Sequence, residues 1–281
     1  MDGTDVTINE DDKSDFVGGL ARGLAVIESF DEENAQMLLS EVARRTGLAP
    51  ASARRSLHTL VKLGYLKSFG KRFVLSPKIL SLSSTYVRSV GIETVLQPEV
   101  QTLSEKFSDT AGVAVLVNRN IVYIAHYTSR GGMRPIAGVG ATYPAYATSL
   151  GRILLSGLAD REIKAYLAET PFSKLTTMTV VDPKQLKKSI DDARRLGYST
   201  VVDQLFLGVT SLSVPIFNSE GSIVAALNTS TYSGERTAAT LIKERLEYLQ
   251  VTSSRITVLI GRHPALHHSL SRRPPFAEIE T

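Results

Sequence analysis

The chain has 281 residues, of which 43% are hydrophobic and 21% charged, a balance that suits one or two globular domains and excludes a disordered chain. It has no cysteine, hence no disulfide, thiol nucleophile or zinc finger, and no apolar run nears the ~18 residues of a membrane span. The net charge of +4 hides a segregation: residues 1–18 carry six acids against Lys13, whereas the stretch between Val42 and Ile92 has ten bases and no acid. A field of that kind attracts a polyanion, above all nucleic acid.

The first fifteen residues, polar and acidic, do not read as a signal peptide, and residues 1–18 are expected to form a flexible arm on a cytoplasmic protein without a membrane partner. From Gly19 to Phe30 the periodicity predicts a helix, with Leu20, Leu24, Ile27 and Phe30 on one core-facing side. After a polar loop, Ser40 is placed to cap a short helix that ends at Thr46-Gly47, where glycine can adopt the left-handed conformation. Pro50 opens a third helix that runs to about Leu63. Short helix, tight turn and longer helix form a helix-turn-helix pattern.

Projected at ~100° per residue, the third helix gathers Ala53, Leu57, Leu60 and Val61 on one side. Ala51, Arg55, His58, Thr59 and Lys62 fall on the other, without a carboxylate. Small residues near the start of such a helix, Ala51 and Ser52, allow close approach to a major groove. Arg55 can then read a guanine edge or hold a phosphate. Arg54, at the flank, either holds a phosphate or packs its stem on the core. Tyr65–Phe69 and Arg72–Leu75 predict a β-hairpin about Gly70-Lys71, a basic wing with Lys71 and Arg72 at its tip. Double-stranded DNA is the expected partner.

At these residues the chain resembles IclR-type transcriptional regulators: Gly-Leu-Ala-Arg-Gly-Leu-Ala-Val (19–26), Leu-Ser-Glu-Val-Ala (39–43), Thr-Gly-Leu (46–48) and Leu-Gly-Tyr (63–65). Arg72 to Leu80 is similar to the wing and linker start of the same family. Downstream, Tyr143 to Leu155 and Ala225-Ala-Leu-Asn-Thr-Ser230 resemble the branch that regulates aromatic-acid catabolism, the protocatechuate and 4-hydroxybenzoate regulators of the β-ketoadipate pathway. The sequence departs from that pattern at Ala49-Pro50-Ala51 and at Val209-Thr210-Ser211. The resemblance implies a winged helix-turn-helix over 19–76, a linker helix over 77–92, a GAF-like effector-binding and oligomerisation domain over 93–262, and a homodimer or tetramer. Residues 263–281 read as a polar tail.

Within the second domain, Pro98 to Phe107 predicts a helix, and Val113–Val117 and Ile121–Ala125 a hairpin about Asn118-Arg119-Asn120. Helices are expected at 150–158, 160–168, 183–196 and 240–260, strands at 198–202, 210–217 and 223–230. Hairpin strands with helices between them make an antiparallel sheet covered by helices, an α+β domain. Thr148 can cap the helix beginning near Ser149, whose free amides would suit a small carboxylate. Ser211, Asn228 and Ser230 put polar groups on otherwise apolar strands, either to line a pocket or to satisfy the backbone. The resemblance implies effector contacts at Ser149, Leu150, Ser211, Asn228 and Ser230, with Asp203 near a further one. Tyr146 is either a stacking partner or core. Arg134 and Arg152 are the nearest cations, Arg152 expected to point outward.

No catalytic or metal-binding pattern stands out. There is no Gly-x-Ser-x-Gly, P-loop or His-Glu-x-x-His, and Gly138-Val-Gly140 lacks the third glycine of a dinucleotide loop. His263 and His267 are separated by Pro264, and Asp191-Asp192-Ala-Arg194-Arg195 reads as a solvated helix face. The expectation is a regulator without enzymatic activity, cofactor or metal. The alternative is a constitutive DNA-binding protein whose second domain only oligomerises.

Overall fold

A computed structural model describes residues 16–129, 138–234 and 236–271; residues 1–15 of the expected arm, Arg134 and residues 272–281 of the expected tail lie outside them. The chain divides into two compact units between Tyr86 and Val87.

The first unit contains α1 (Gly18–Glu28), β1 (Met37–Leu38), α2 (Leu39–Thr46), α3 (Pro50–Lys62), β2 (Leu66–Phe69) and β3 (Arg72–Leu75), and α4 (Ile79–Ser89) begins in it. Val26, Met37, Val42, Leu57, Leu60, Leu66 and Phe73 form its core. The hairpin pairs Phe69 with Arg72 across Gly70-Lys71, and Gly70 takes the φ of +58° that so short a turn requires. β1, too short to show a period in the sequence, adds a third antiparallel strand beside β3.

Two expectations are corrected here. The inward residue of α1 is Val26, whereas Leu20 and Leu24 are 64% and 48% exposed and Ile27 and Phe30 only partly buried. The stripe is real, but the described residues leave its N-terminal half exposed. Ser40 is not the cap of α2: Leu38 precedes the helix, and its N–H donates to the Glu41 carboxylate at 2.6 Å. α2 does end at Gly47 in the left-handed region, and Pro50 does open α3.

The second unit contains α5 (Ile92–Val95), α6 (Gln97–Phe107), β4 (Thr110–Val117), β5 (Asn120–Thr128), β6 (Thr142–Pro144), a 3-10 turn (Ala145–Ala147), α7 (Ser149–Ser156), α8 (Asp160–Glu169), α9 (Pro183–Leu196), β7 (Ser199–Val202), β8 (Val209–Phe217), β9 (Ile223–Tyr232), α10 (Ala238–Gly261) and α11 (Pro264–Leu270). Six strands form one antiparallel sheet in the order β6-β5-β4-β9-β8-β7. Its two faces are buried differently. Val113, Leu212, Val214 and Leu227 pack with residues of α5, α6, α10 and α11. Ala114 and Ala226 face the residues of α7, α8 and α9.

α11 replaces part of the expected polar tail, because Leu266 and Leu270 are buried in the first of these clusters. The expected solvated face of α9 is only partly so. Arg194 donates to the carbonyls of Ser156 and Leu158 and to Asp160, tying α9 to the loop between α7 and α8. On the α10 side, Arg245 is fully buried; it donates to Asp109 at 2.6 Å and to Thr229 Oγ1 at 2.8 Å, with its guanidinium 4.7 Å from the Phe107 ring.

Candidate functional site

Side chains alternate across a strand, so the residues of β8 and β9 that do not face α10 face α7. Four of them are polar: Ser213, Asn228 and Ser230 are buried and Ser211 is partly so. Buried polar groups on an otherwise apolar sheet face need partners. Ser149, the first residue of α7, supplies some: its Oγ donates to Ser211 Oγ at 2.9 Å and lies 2.7 Å from Ser213 Oγ. Asn228 Nδ2 donates to Ser230 Oγ at 3.1 Å and to the Tyr123 hydroxyl at 3.4 Å, while its Oδ1 has no partner among the described residues.

A cavity opens between these strands, α7 and the loop from Asp203 to Gly208, with about 570 Å³ free of protein atoms, its mouth included. Ser149, Leu150, Ser211, Asn228 and Ser230, expected separately from distant parts of the sequence, all line it. Thr148 caps α7 by accepting from Gly151 N at 2.9 Å, and its carbonyl accepts from Arg152 N at 3.1 Å. That leaves the amides of Ser149 and Leu150 without a partner inside the helix, at its positive end.

Part of the lining is aromatic and was missed in the sequence. Tyr123, Tyr143 and Phe206 form an edge-to-face chain with centroids 6.3 and 5.7 Å apart. The register shift between β4 and β5 leaves Ile124 out of the pairing, with Tyr123 opposite Ala114 and His126 opposite Gly112. This irregularity puts Tyr123 and His126 on one face, which strict alternation would not have done. Gly112 is needed there: a Cβ would stand 2.6 Å from Tyr123 Cε1. Burial lowers the pKa of His126 and raises that of the Tyr123 hydroxyl, so both are neutral at neutral pH.

Three further residues singled out in the sequence lie outside this lining. Asp203 does not line the cavity; with φ +56°, its carboxylate accepts from the amides of Gly208 and Val209 and closes the loop that carries Leu205 and Phe206. Tyr146 is core, packed on Phe172 at 5.1 Å with its hydroxyl bonded to Ser173 O. Arg152 does not point outward. It is 6% exposed, donates to Gln204 Oε1 at 2.7 Å, and burial lowers its pKa to about 10.

In the first unit, Ala53, Leu57 and Leu60 of α3 are buried, and Ala51, Arg54, Arg55, His58, Thr59 and Lys62 are exposed, with Ser52 partly so. These side chains do not form one cluster. Ser52, Arg55 and Thr59 border an apolar groove with Leu20, Leu24, Leu63 and Leu82, whereas His58 meets the Phe73 ring edge-on at 6.4 Å, toward the hairpin. Lys71 is exposed at the turn. Arg72 is turned back on the fold, donating to Gln36 O at 3.1 Å with Glu41 3.7 Å away. Among the described residues, no group of three potential metal ligands occurs, and no helix is long and apolar enough to cross a membrane.

Residues 19–68 match the model of the IclR helix-turn-helix domain, and residues 84–258 that of the C-terminal part of bacterial IclR transcriptional regulators. The Pca regulon regulatory protein of Pseudomonas putida is 36% identical over 240 residues, 85% of this chain and 82% of that protein. A solved protein of Rhodococcus sp. RHA1 is 38% identical with a TM-score of 0.71, over 88% of this chain and 99% of its own. A solved inducer-binding domain of the Acinetobacter transcription factor PobR, a double mutant in complex with 3-hydroxybenzoic acid, is 27% identical with a TM-score of 0.55. That comparison covers 58% of this chain and 95% of the domain.

Proposed function

The chain belongs to the IclR family of bacterial transcriptional regulators, and on that premise we propose that its cavity takes a small hydroxylated aromatic carboxylate which switches operator binding. The observation that carries this reading is the convergence of polar groups from α7, β8 and β9 on one aromatic-walled cavity. The amides of Ser149 and Leu150 and the hydroxyl of Ser211 receive the carboxylate. Tyr123, Tyr143 and Phe206 take the ring, and Asn228 Oδ1, otherwise unpartnered, accepts from a ring hydroxyl. The hydroxybenzoate bound by the Acinetobacter domain is a compound of this class.

In the first unit, α3 enters the major groove with Ala51 and Ser52 at its start. Arg54, Arg55, His58, Thr59 and Lys62 stand at bases and phosphates, and Lys71 stands at a phosphate beside them. Arg72 serves the fold more than the DNA, its guanidinium being committed to Gln36 and Glu41. The regulator acts as a homodimer or tetramer, since two recognition helices at fixed spacing are what two half-sites need. None of these roles is catalytic or asks for a cofactor, and all suit a protein of the cytoplasm.

The test is a thermal-shift screen of benzoate, its mono- and dihydroxylated forms and aliphatic dicarboxylates on the full chain. Each is then titrated against the protein bound to a DNA duplex selected from a random pool. A hydroxybenzoate that raises Tm and changes DNA affinity supports the reading. Stabilisation by aliphatic acids alone would overturn the aromatic assignment.

A further inference from the structure

We propose that Phe69, at the tip of the hairpin, is itself a DNA contact: an apolar wedge that enters the minor groove of the operator between Lys67 and Lys71. The proposal rests on the reading that this unit binds duplex DNA, and adds to it a residue that neither charge nor motif singles out.

Phe69 is 81% exposed, more than any other large apolar side chain among the described residues. The register of the hairpin explains why. Leu66 and Phe73 point into the core, so Lys67 and Phe69, paired with Val74 and Arg72, stand on the outer face. Arg72 could have lain across the ring, but its guanidinium is drawn back to Gln36 O and Glu41. Only Gly70 and Lys71 separate the strands, which makes the tip narrow. It can therefore enter a minor groove only ~6 Å wide.

The surroundings select the occupant. There is no acid between Val42 and Ile92, and Lys67 and Lys71 flank the ring. A second copy of this surface would bring cation against cation, whereas a duplex brings phosphates on both sides of a groove floored by base edges and sugars. The contact of His58 with Phe73 ties the hairpin to the exposed face of α3, so a duplex lying on α3 runs past the tip. Proteins that wedge a Phe between base steps do so at flexible pyrimidine–purine steps, and this gives sequence preference without hydrogen bonds to bases.

The experiment uses the full chain and a duplex selected by the wild-type protein from a randomised pool, with 2-aminopurine substituted in turn at the adenines flanking the footprint centre. Affinity is followed against salt for Phe69→Ala, Phe69→Leu, Phe69→Lys and, as a control, Lys71→Ala. Phe69→Ala is expected to weaken binding about tenfold, the size of one lost aromatic contact with a base. The salt slope should not change, because no counterion is involved, while Lys71→Ala lowers the slope by about one. One 2-aminopurine position should brighten on binding wild type and Phe69→Leu but not Phe69→Ala or Phe69→Lys. Affinity of Phe69→Ala within twofold of wild type, or a loss that comes with a flattened slope, would overturn the wedge. So would unchanged DNA binding accompanied by lost self-association in sedimentation, since the tip would then be a protein contact. If Phe69→Ala lowers Tm, Phe69→Lys decides the matter. A wild-type 2-aminopurine response in that variant refutes the proposal, and its loss in a protein of wild-type Tm supports it. Failure of the wild-type chain to select any duplex would instead refute the DNA-binding reading.

Discussion

Replacing Arg245 by Met should damage the second unit more than any surface change. The guanidinium is fully buried, and the substitution removes the 2.6 Å ion pair with Asp109 and the 2.8 Å bond to Thr229 Oγ1. Asp109 is itself only 5% exposed, and its remaining cation, Arg236, stands 3.7 Å away. Breaking a buried pair from one side strands a charge and costs about 3–5 kcal/mol. Met retains much of the apolar contact, including that with Phe107, so the loss is electrostatic. At ~2–4 °C per kcal/mol for a unit of this size, Tm should fall by roughly 6–20 °C in scanning calorimetry of the full chain. The double variant Asp109→Leu/Arg245→Met removes both charges and should recover most of that loss. A drop in Arg245→Met of less than about 1 kcal/mol, or a double variant less stable than it, would refute the stranded-charge argument.

Gly151→Ala should destabilise the protein and weaken effector binding, although alanine favours a helix by about 1 kcal/mol. Its Cβ would stand 2.0 Å from Ala145 O, a clash with backbone that outweighs the propensity. An unfolding titration showing equal or greater stability would contradict this. Asn228→Ala should leave operator affinity of the free protein intact and abolish the ligand response; unchanged calorimetric affinity would place the effector elsewhere. His126 has a pKa depressed by burial, so its contribution is complete above its unfolded value near 6.5 and is lost as pH falls through the lower folded value. Stability should therefore decline from pH 7 to pH 5 by more in wild type than in His126→Gln. Equal slopes in urea titrations at the two pH values would rule His126 out as a cause.

What the sequence made legible were features with a local cause. Thr148 before Ser149 and Gly47 after Thr46 mark helix ends because the groups that satisfy the backbone are neighbours in the chain. The polar side of the cavity was legible because Ser211, Asn228 and Ser230 interrupt apolar strands. The aromatic side was not: Tyr123, Tyr143 and Phe206 come from separate segments and meet only through a bulge and a loop. Arg152 reads as surface because arginine is seldom buried, and only packing shows Gln204 as its partner. The stripe on α1 gave the correct period but could not say what covers it, since periodicity records which residues share a face and not what lies opposite.

The helix α4, by which the chain passes from one unit to the other, has no buried residue in its 11, and Leu80, Leu82 and Tyr86 are all exposed. Val87, partly buried, packs against the core of the second unit, but a helix of that length with no buried side chain is marginal in water. Its backbone amides should accordingly lose their deuterium protection at high dilution and regain it as protein concentration rises, while those of α7 and β9 stay protected throughout. Among the described residues, the passage between sensing and DNA binding would then be one of the least persistent stretches of backbone in a lone chain.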